Sequence, residues 1–163
     1  MFIDTTSYKE IDEHFGTWEH YESLVRKAHE QGIAVIADCV LNHCHNTNPL
    51  FLNAQSAKYS VIRDWFYFKG NKSPEYTSYL NLPDLPKFNL QNTDAANYMI
   101  DKVEKLAKVG VDGIRLDHTI GLPFSFLRQL RKRLRMINPD IRIIGEVWGG
   151  GCSKEVMSQF HFK

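Results

Sequence analysis

The sequence predicts an α/β protein with parallel strands. Helix-like and strand-like stretches alternate along it, and the strand-like stretches are short, apolar runs with no turn residue inside. Each helical stretch also ends on a glycine or an Asn-Pro pair, a stop that separates it from the strand that follows.

The first helix signal opens at Thr17, which suits an N-cap. Tyr21, Leu24, Val25 and Ala28 then fall on one face at helical spacing, and Gly32 suits the position just past the end. Residues 33–40 follow as a strand buried on both faces, its apolar run interrupted only by Asp38. A second helix is expected from Thr93 or Asp94, with Ala96, Met99, Ile100, Val103, Leu106 and Ala107 inward and Gly110 as its stop. Residues 111–117 form the second strand. A third helix begins near Pro123, buries Phe126, Leu127, Leu130, Leu134 and Ile137, and ends at Asn138-Pro139. Residues 141–146 form the third strand. Arg128, Arg131, Lys132, Arg133 and Arg135 mostly avoid that third helix's apolar stripe, so they form a solvated face rather than a nucleic-acid patch.

The 163 residues suffice for one ordinary domain with a real core. Twenty Lys and Arg against nineteen Asp and Glu leave a formal charge of +1, too little surplus for a general polyanion binder. No apolar run reaches the length of a membrane span. The polar start shows no signal peptide, and the odd count of cysteines (Cys39, Cys44 and Cys152) argues against a disulfide framework. Both features point to a reducing, cytoplasmic compartment.

Residues 44–92 break the alternation. They show little period beyond a short helix over 50–63, and loops of such length are usually functional. They hold nine of the chain's twenty aromatic residues: Phe51, Tyr59, Trp65, Phe66, Tyr67, Phe68, Tyr76, Tyr79 and Phe88. The expectation is a divided role, about half of them forming a small satellite core and half offering flat faces to a ligand.

The strands carry charge where ligands bind. Asp38 lies near the end of the first, Asp117 closes the second and Glu146 closes the third. Ligands of α/β proteins sit beyond those strand ends, and three costly carboxylates there are hard to ascribe to stability. Arg115 precedes Asp117 by two, so the strand's alternation sets both on one face. A guanidinium there is expected to lower the Asp117 pKa and keep it ionised, as a nucleophile must be. Adjacent strands lie about 4.8 Å apart, close to the ~5–5.5 Å between the two carboxyls of retaining glycosidases. His43 follows the first strand and could bond sugar hydroxyls. The cluster of Cys39, His43, Cys44 and His45 fits no structural zinc spacing.

These residues resemble motifs of the α-amylase family, glycoside hydrolase family 13. The run from Asp38 to His43 resembles its first conserved region, and Gly113-Ile114-Arg115-Leu116-Asp117 with His118 resembles the second. Gly145-Glu146-Val147-Trp148 resembles the third. Leu85-Pro86-Lys87-Phe88-Asn89 resembles a motif of the neopullulanase and cyclomaltodextrinase branch. Ile11-Asp12 with Phe15-Gly16-Thr17 resembles the segment before the third barrel strand.

The resemblance implies a partial TIM (β/α)8 barrel, about strands 3–5 with their helices. Residues 1–43 would supply helix 2 and strand 3, residues 44–92 an inserted domain B, and residues 93–163 the barrel from helix 3 to strand 5. Asp117 would be the nucleophile and Glu146 the general acid/base. Arg115 would hold Asp117, Asp38 would order the site, and His43 and His118 would contact the sugar. The substrate would be an α-linked glucan such as starch or a maltooligosaccharide, cut or transferred with retention through a covalent glucosyl-enzyme. No cofactor is required on this reading. Asn42 matches a ligand position of many members, which leaves a calcium site open. The chain departs from the family in several ways, beginning with three recognisable strands where the barrel has eight. The family's third acid is absent from this sequence, Ile3 stands where a sugar-stacking Tyr is usual, and Gly121 stands where the second region has a distal His. The chain alone, a central stretch of such a barrel, is therefore expected to be inactive and prone to association. The alternative is a non-catalytic amylase-like domain serving protein interaction; the presence of both Asp117 and Glu146 favours the enzyme.

Overall fold

The computed structural model describes residues 7–56, 60–70 and 74–147. Ile3, Tyr59, Trp148 and Cys152 lie outside the described residues. In chain order the regular elements are α1 (Trp18–Glu30), β1 (Ile36–Cys39), α2 (Pro49–Ser56), α3 (Thr93–Val109), β2 (Gly113–Leu116), α4 (Phe124–Ile137) and β3 (Arg142–Gly145).

The helix ends follow local chemistry. Thr17 caps α1 by accepting the His20 backbone N–H, while the His20 ring accepts the Thr17 N–H, a capping box with an imidazole in the usual Glu or Gln role. At the other end Gly32 takes a left-handed φ of 73°, and the Gly32 and Ile33 N–H groups donate to His29 and Ala28, which closes a Schellman motif. The Asn92 side chain caps α3 by accepting from the N–H groups of Asp94 and Ala95. α4 starts after Pro123 with no side-chain cap, consistent with a helix held by its packing.

The three strands pair in parallel in the order β1-β2-β3, with Asp38 beside Arg115 and Arg115 beside Ile144. Each is shorter than the sequence predicts. Among the described residues the first strand is buried on one face: Ala37 and Cys39 are covered, while Ile36 is 53% exposed and Asp38 is exposed. Ile144 of β3 is likewise 43% exposed. The apolar run is genuine, but among the described residues only the helix-facing side of the sheet is covered. There Ile114 and Leu116 pack with Met99, Ile100 and Val103 of α3 and with Leu127, Leu130 and Leu134 of α4. Full burial of one such side chain contributes roughly 1.5–3 kcal/mol.

A carboxylate pins the lower end of the sheet. Asp112, just ahead of β2, accepts the Val35 N–H at 2.7 Å and pairs with His29 Nε2 at 2.8 Å. It thereby ties the last turn of α1 to the entries of β1 and β2, and these two partners hold its pKa below the usual value.

The segment between β1 and α3 is built from single antiparallel bridges, His43 to Lys87, Phe66 to Phe88, Phe68 to Tyr76 and Ser78 to Pro86. Phe51, Phe66 and Phe88 are buried, with ring centroids 5.1 and 4.5 Å apart along that series. Arg63 is buried too. Its guanidinium lies 3.9 Å over the Phe68 ring and donates to the carbonyls of Ala54 and Gly70. Trp65, Phe68 and Tyr76 pack against the same cluster, so most of these rings join the sheet's own apolar core rather than a satellite core. The helix expected over 50–63 is confined to α2.

Candidate active site

The upper strand ends gather four charged side chains. Asp117 follows β2 directly and Glu146 follows β3. Their N–H groups continue the ladder, donating to Cys39 at 3.0 Å and Leu116 at 2.9 Å. Arg115 shares its face of β2 with Asp117, as strand alternation requires. One guanidinium nitrogen reaches both Asp38 oxygens, at 2.7 and 2.9 Å, and Asp117 Oδ1 at 3.1 Å. The other reaches Glu146 Oε1 at 2.7 Å. The remaining Glu146 oxygen accepts the His118 N–H at 3.0 Å. One arginine thus gathers all three predicted carboxylates, with Asp38 rather than Asp117 as its tightest partner.

The electrostatics correct the expectation for Asp117. Its side chain is buried, the residue only 5% exposed. Burial raises its pKa, the Glu146 charge raises it further, and Arg115 pulls it back down without cancelling the rise. The physical reason is the count of charges: one guanidinium is shared among three carboxyls, and Asp117 holds its most distant bond. The neighbouring Glu146 carboxyl adds to the rise beyond its charge. Burial and the Glu146 charge thus both favour the protonated form of Asp117.

Both histidines stand beside this cluster. His118 adopts a left-handed backbone, φ 42°, and its pKa is lowered by burial and by the Lys87 charge, against an opposing pull from Glu146. His43 is 0% exposed. Its Nδ1 lies 3.2 Å from the Asn42 amide nitrogen, and its ring is covered by the ring of Tyr79. Of the two predicted sugar contacts, His118 keeps some exposed surface, whereas His43 lies under Tyr79. Tyr79 belongs to the nine aromatics noted above, but no motif or period marks it out. Only the bridge pairings of the segment bring it here.

The surroundings of Asn42 test the calcium expectation. Its Oδ1 is buried and has no hydrogen-bond partner among the described residues. Around it lie the His118 ring and Gly121, where a Cβ would collide with both groups. Calcium takes six to eight oxygen ligands and favours carboxylates. Asn42 Oδ1 is one oxygen of the amide kind that calcium accepts, with an imidazole and a glycine beside it. No group of three His, Cys, Asp or Glu fit for a metal occurs among the described residues. Cys39 and Cys44 are buried, which pushes the Cys39 thiol up to about 12 and Cys44 upward as well.

At their upper ends the parallel strands thus present two carboxyls, Asp117 buried and Glu146 half-buried, to one arginine. Comparisons with known proteins give the family. The family model for the α-amylase catalytic domain matches residues 2–161. The chain is 32% identical over 152 residues to a cyclomaltodextrinase of Geobacillus thermopakistaniensis, covering 89% of this chain and 26% of that protein. Among solved structures, the type III pullulan hydrolase of Thermococcus kodakarensis superposes with a TM-score of 0.85 at 32% identity, over 96% of this chain and 28% of that one. A cyclic α-maltosyl-(1→6)-maltose hydrolase of Arthrobacter globiformis, solved in complex with that cyclic sugar, gives 0.82 at 27% identity over 90% and 35%. The chain therefore belongs to the α-amylase catalytic-domain family, whose fold is a (β/α)8 barrel. It spans about a quarter of the length of the curated relatives it matches. Among the described residues no helix is long and apolar enough to cross a membrane.

Proposed function

We propose that the protein carrying this segment is a retaining glycosidase or transglycosidase acting on α-linked glucans. The observation that supports this reading best is the Asp117–Glu146 pair at adjacent strand ends, gathered by Arg115. On this reading Asp117 attacks the anomeric carbon while Glu146 gives its proton to the departing glycosidic oxygen. Glu146 then takes a proton from water or from a sugar hydroxyl, which displaces Asp117 with the configuration retained. Arg115 and Asp38 hold the pair, and His118, with His43 behind it, borders the sugar. The chemistry runs on side chains and needs no cofactor. β1, β2 and β3 would be the third to fifth barrel strands, and residues 44–92 the inserted domain B. The exposed Ile36 and Ile144 would face the interior of the closed barrel. The sugars in the relatives' names support the substrate class.

A mechanism-based fluoroglucoside tests the reading. In the protein spanning the whole barrel, mass spectrometry should find the glucosyl adduct on the peptide that contains Asp117. An adduct on Glu146 reverses the two roles. The absence of any adduct or turnover on maltooligosaccharides favours a non-catalytic amylase-like domain.

A further inference from the structure

We propose that Tyr79 is a positioning residue that sets both active-site imidazoles, so that the segment between β1 and α3 controls the geometry beside the carboxyl pair. This rests on the functional reading above. The Tyr79 ring stacks on His43 with centroids 4.4 Å apart and planes 8° from parallel. The same ring meets His118 edge-on at 4.6 Å and 69°. The three rings come from three separate places in the chain: the end of β1, the residues after β2, and the intervening segment. Tyr79 is the member common to both contacts.

Its backbone is held to match. The Tyr79 N–H donates to Leu85 at 2.9 Å, and its carbonyl accepts the Leu82 N–H at 2.9 Å. The next two residues, Leu80 and Asn81, both adopt left-handed conformations, with φ of 50° and 59°. Leu80, a bulky residue in that region, is also 59% exposed, so no burial of its own side chain explains the conformation. Such conformations persist where surrounding structure over-determines them, and they cluster at functional sites. Here they turn the chain sharply after Tyr79. Burial and the nearby charges of Asp117 and Glu146 raise the Tyr79 pKa, in keeping with its place beside the pair.

His43 needs such a wall. Asn42 sits at its Nδ1, which orients the ring in plane through one hydrogen bond. Tyr79 restrains it out of plane. For His118, whose left-handed backbone throws its side chain across Gly121, the edge contact with Tyr79 supplies the facing surface.

The test combines spectroscopy with kinetics, and the spectroscopy does not depend on turnover. In protein labelled with 13C,15N-histidine, NOEs should connect the Tyr79 ring to the rings of His43 and His118, a measurement that needs no variant. Tyr79→Leu should remove the ring-current shift from the His43 ring protons and move the 15N signals of both imidazoles. Tyr79→Phe, which keeps the ring and loses only the hydroxyl, should restore them. In the protein spanning the whole barrel, Tyr79→Leu should lower kcat by about 10²-fold, the scale of a small misplacement, with less change in KM. Phe should restore kcat as well. Missing NOEs, imidazole signals indifferent to Leu, or a Phe variant as impaired as Leu would each overturn the proposal. Spectra that behave as expected in a protein without glucan activity would instead sink the functional reading and leave the positioning role standing.

Discussion

Asp112 and Asp117 flank the same strand, one at each end of β2, and meet opposite surroundings. Asp112 accepts a backbone N–H from Val35 and a bond from His29, and its pKa falls. Asp117 is buried beside Glu146 with one shared guanidinium in reach, and its pKa rises. The lower carboxylate is satisfied by groups that gain from its charge, so it ties helix and strands together. The upper one is placed where its charge is costly. Folding alone gives no reason to keep an anion in such a place, and carboxyls pushed from their ordinary pKa are what acid–base chemistry at sugar bonds requires. On the proposed function, the two ends of β2 separate a charge that serves the architecture from one held for reaction.

The largest test of that separation is Asp117→Asn in the protein spanning the whole barrel. Turnover on maltooligosaccharides should fall by about 10⁴-fold or more, while circular dichroism stays that of the parent. Activity close to the parent's would remove Asp117 from the chemistry. Next comes Glu146→Gln, expected to cost about 10²–10⁴-fold on natural substrates. An activated aryl leaving group should recover much of that loss. The basic limb of the pH–rate profile should vanish with that substrate; a limb that persists assigns the proton to another group.

The lower end should respond in the opposite sense. Asp112→Ala leaves the Val35 N–H without its acceptor and should lower stability by about 1–2 kcal/mol, read by urea denaturation, with kcat unchanged. A loss of kcat at unchanged stability would erase the distinction between the two ends.

The smallest effect is in the pH dependence of stability. The folded value for Asp117 lies above its ordinary 3.8, so the folded state binds that proton more tightly than the unfolded chain. Stability therefore declines as pH rises from about 3.8 through the raised value. Asp117→Asn removes that decline, and its melting temperature should exceed the parent's at pH 7 and converge with it towards pH 4. For Asp112 the sign is reversed: its contribution is present above 3.8 and is lost as pH falls through its lowered folded value. Parallel melting curves for parent and Asp117→Asn from pH 4 to 7 would contradict the raised value.

Much of the molecule was legible in its residue pattern. Thr17 and Gly32 bracket α1 as expected because caps and left-handed stops are decided within a few residues. The buried faces of α3 and α4 follow from helical spacing. Asp38, Arg115, Asp117 and Glu146 could be named because a strand's alternation and its end are both local properties. The extent of burial was not legible in the same way. Within this stretch of the barrel Ile36 is exposed while Ala37 is covered, because burial depends on what packs against each face.

The order of helices and strands, their caps and the carboxylates at the strand ends were determined by the sequence alone, since each is settled between near neighbours by propensity and period. The tertiary structure alone decided which charges share Arg115, why Asp117 holds its proton more firmly than its neighbouring arginine suggested, and how Tyr79 comes to lie between His43 and His118. Those outcomes depend on desolvation and on contacts between distant parts of the chain. No local pattern encodes such distances, and it is they that set the strength of a charge and the orientation of a ring.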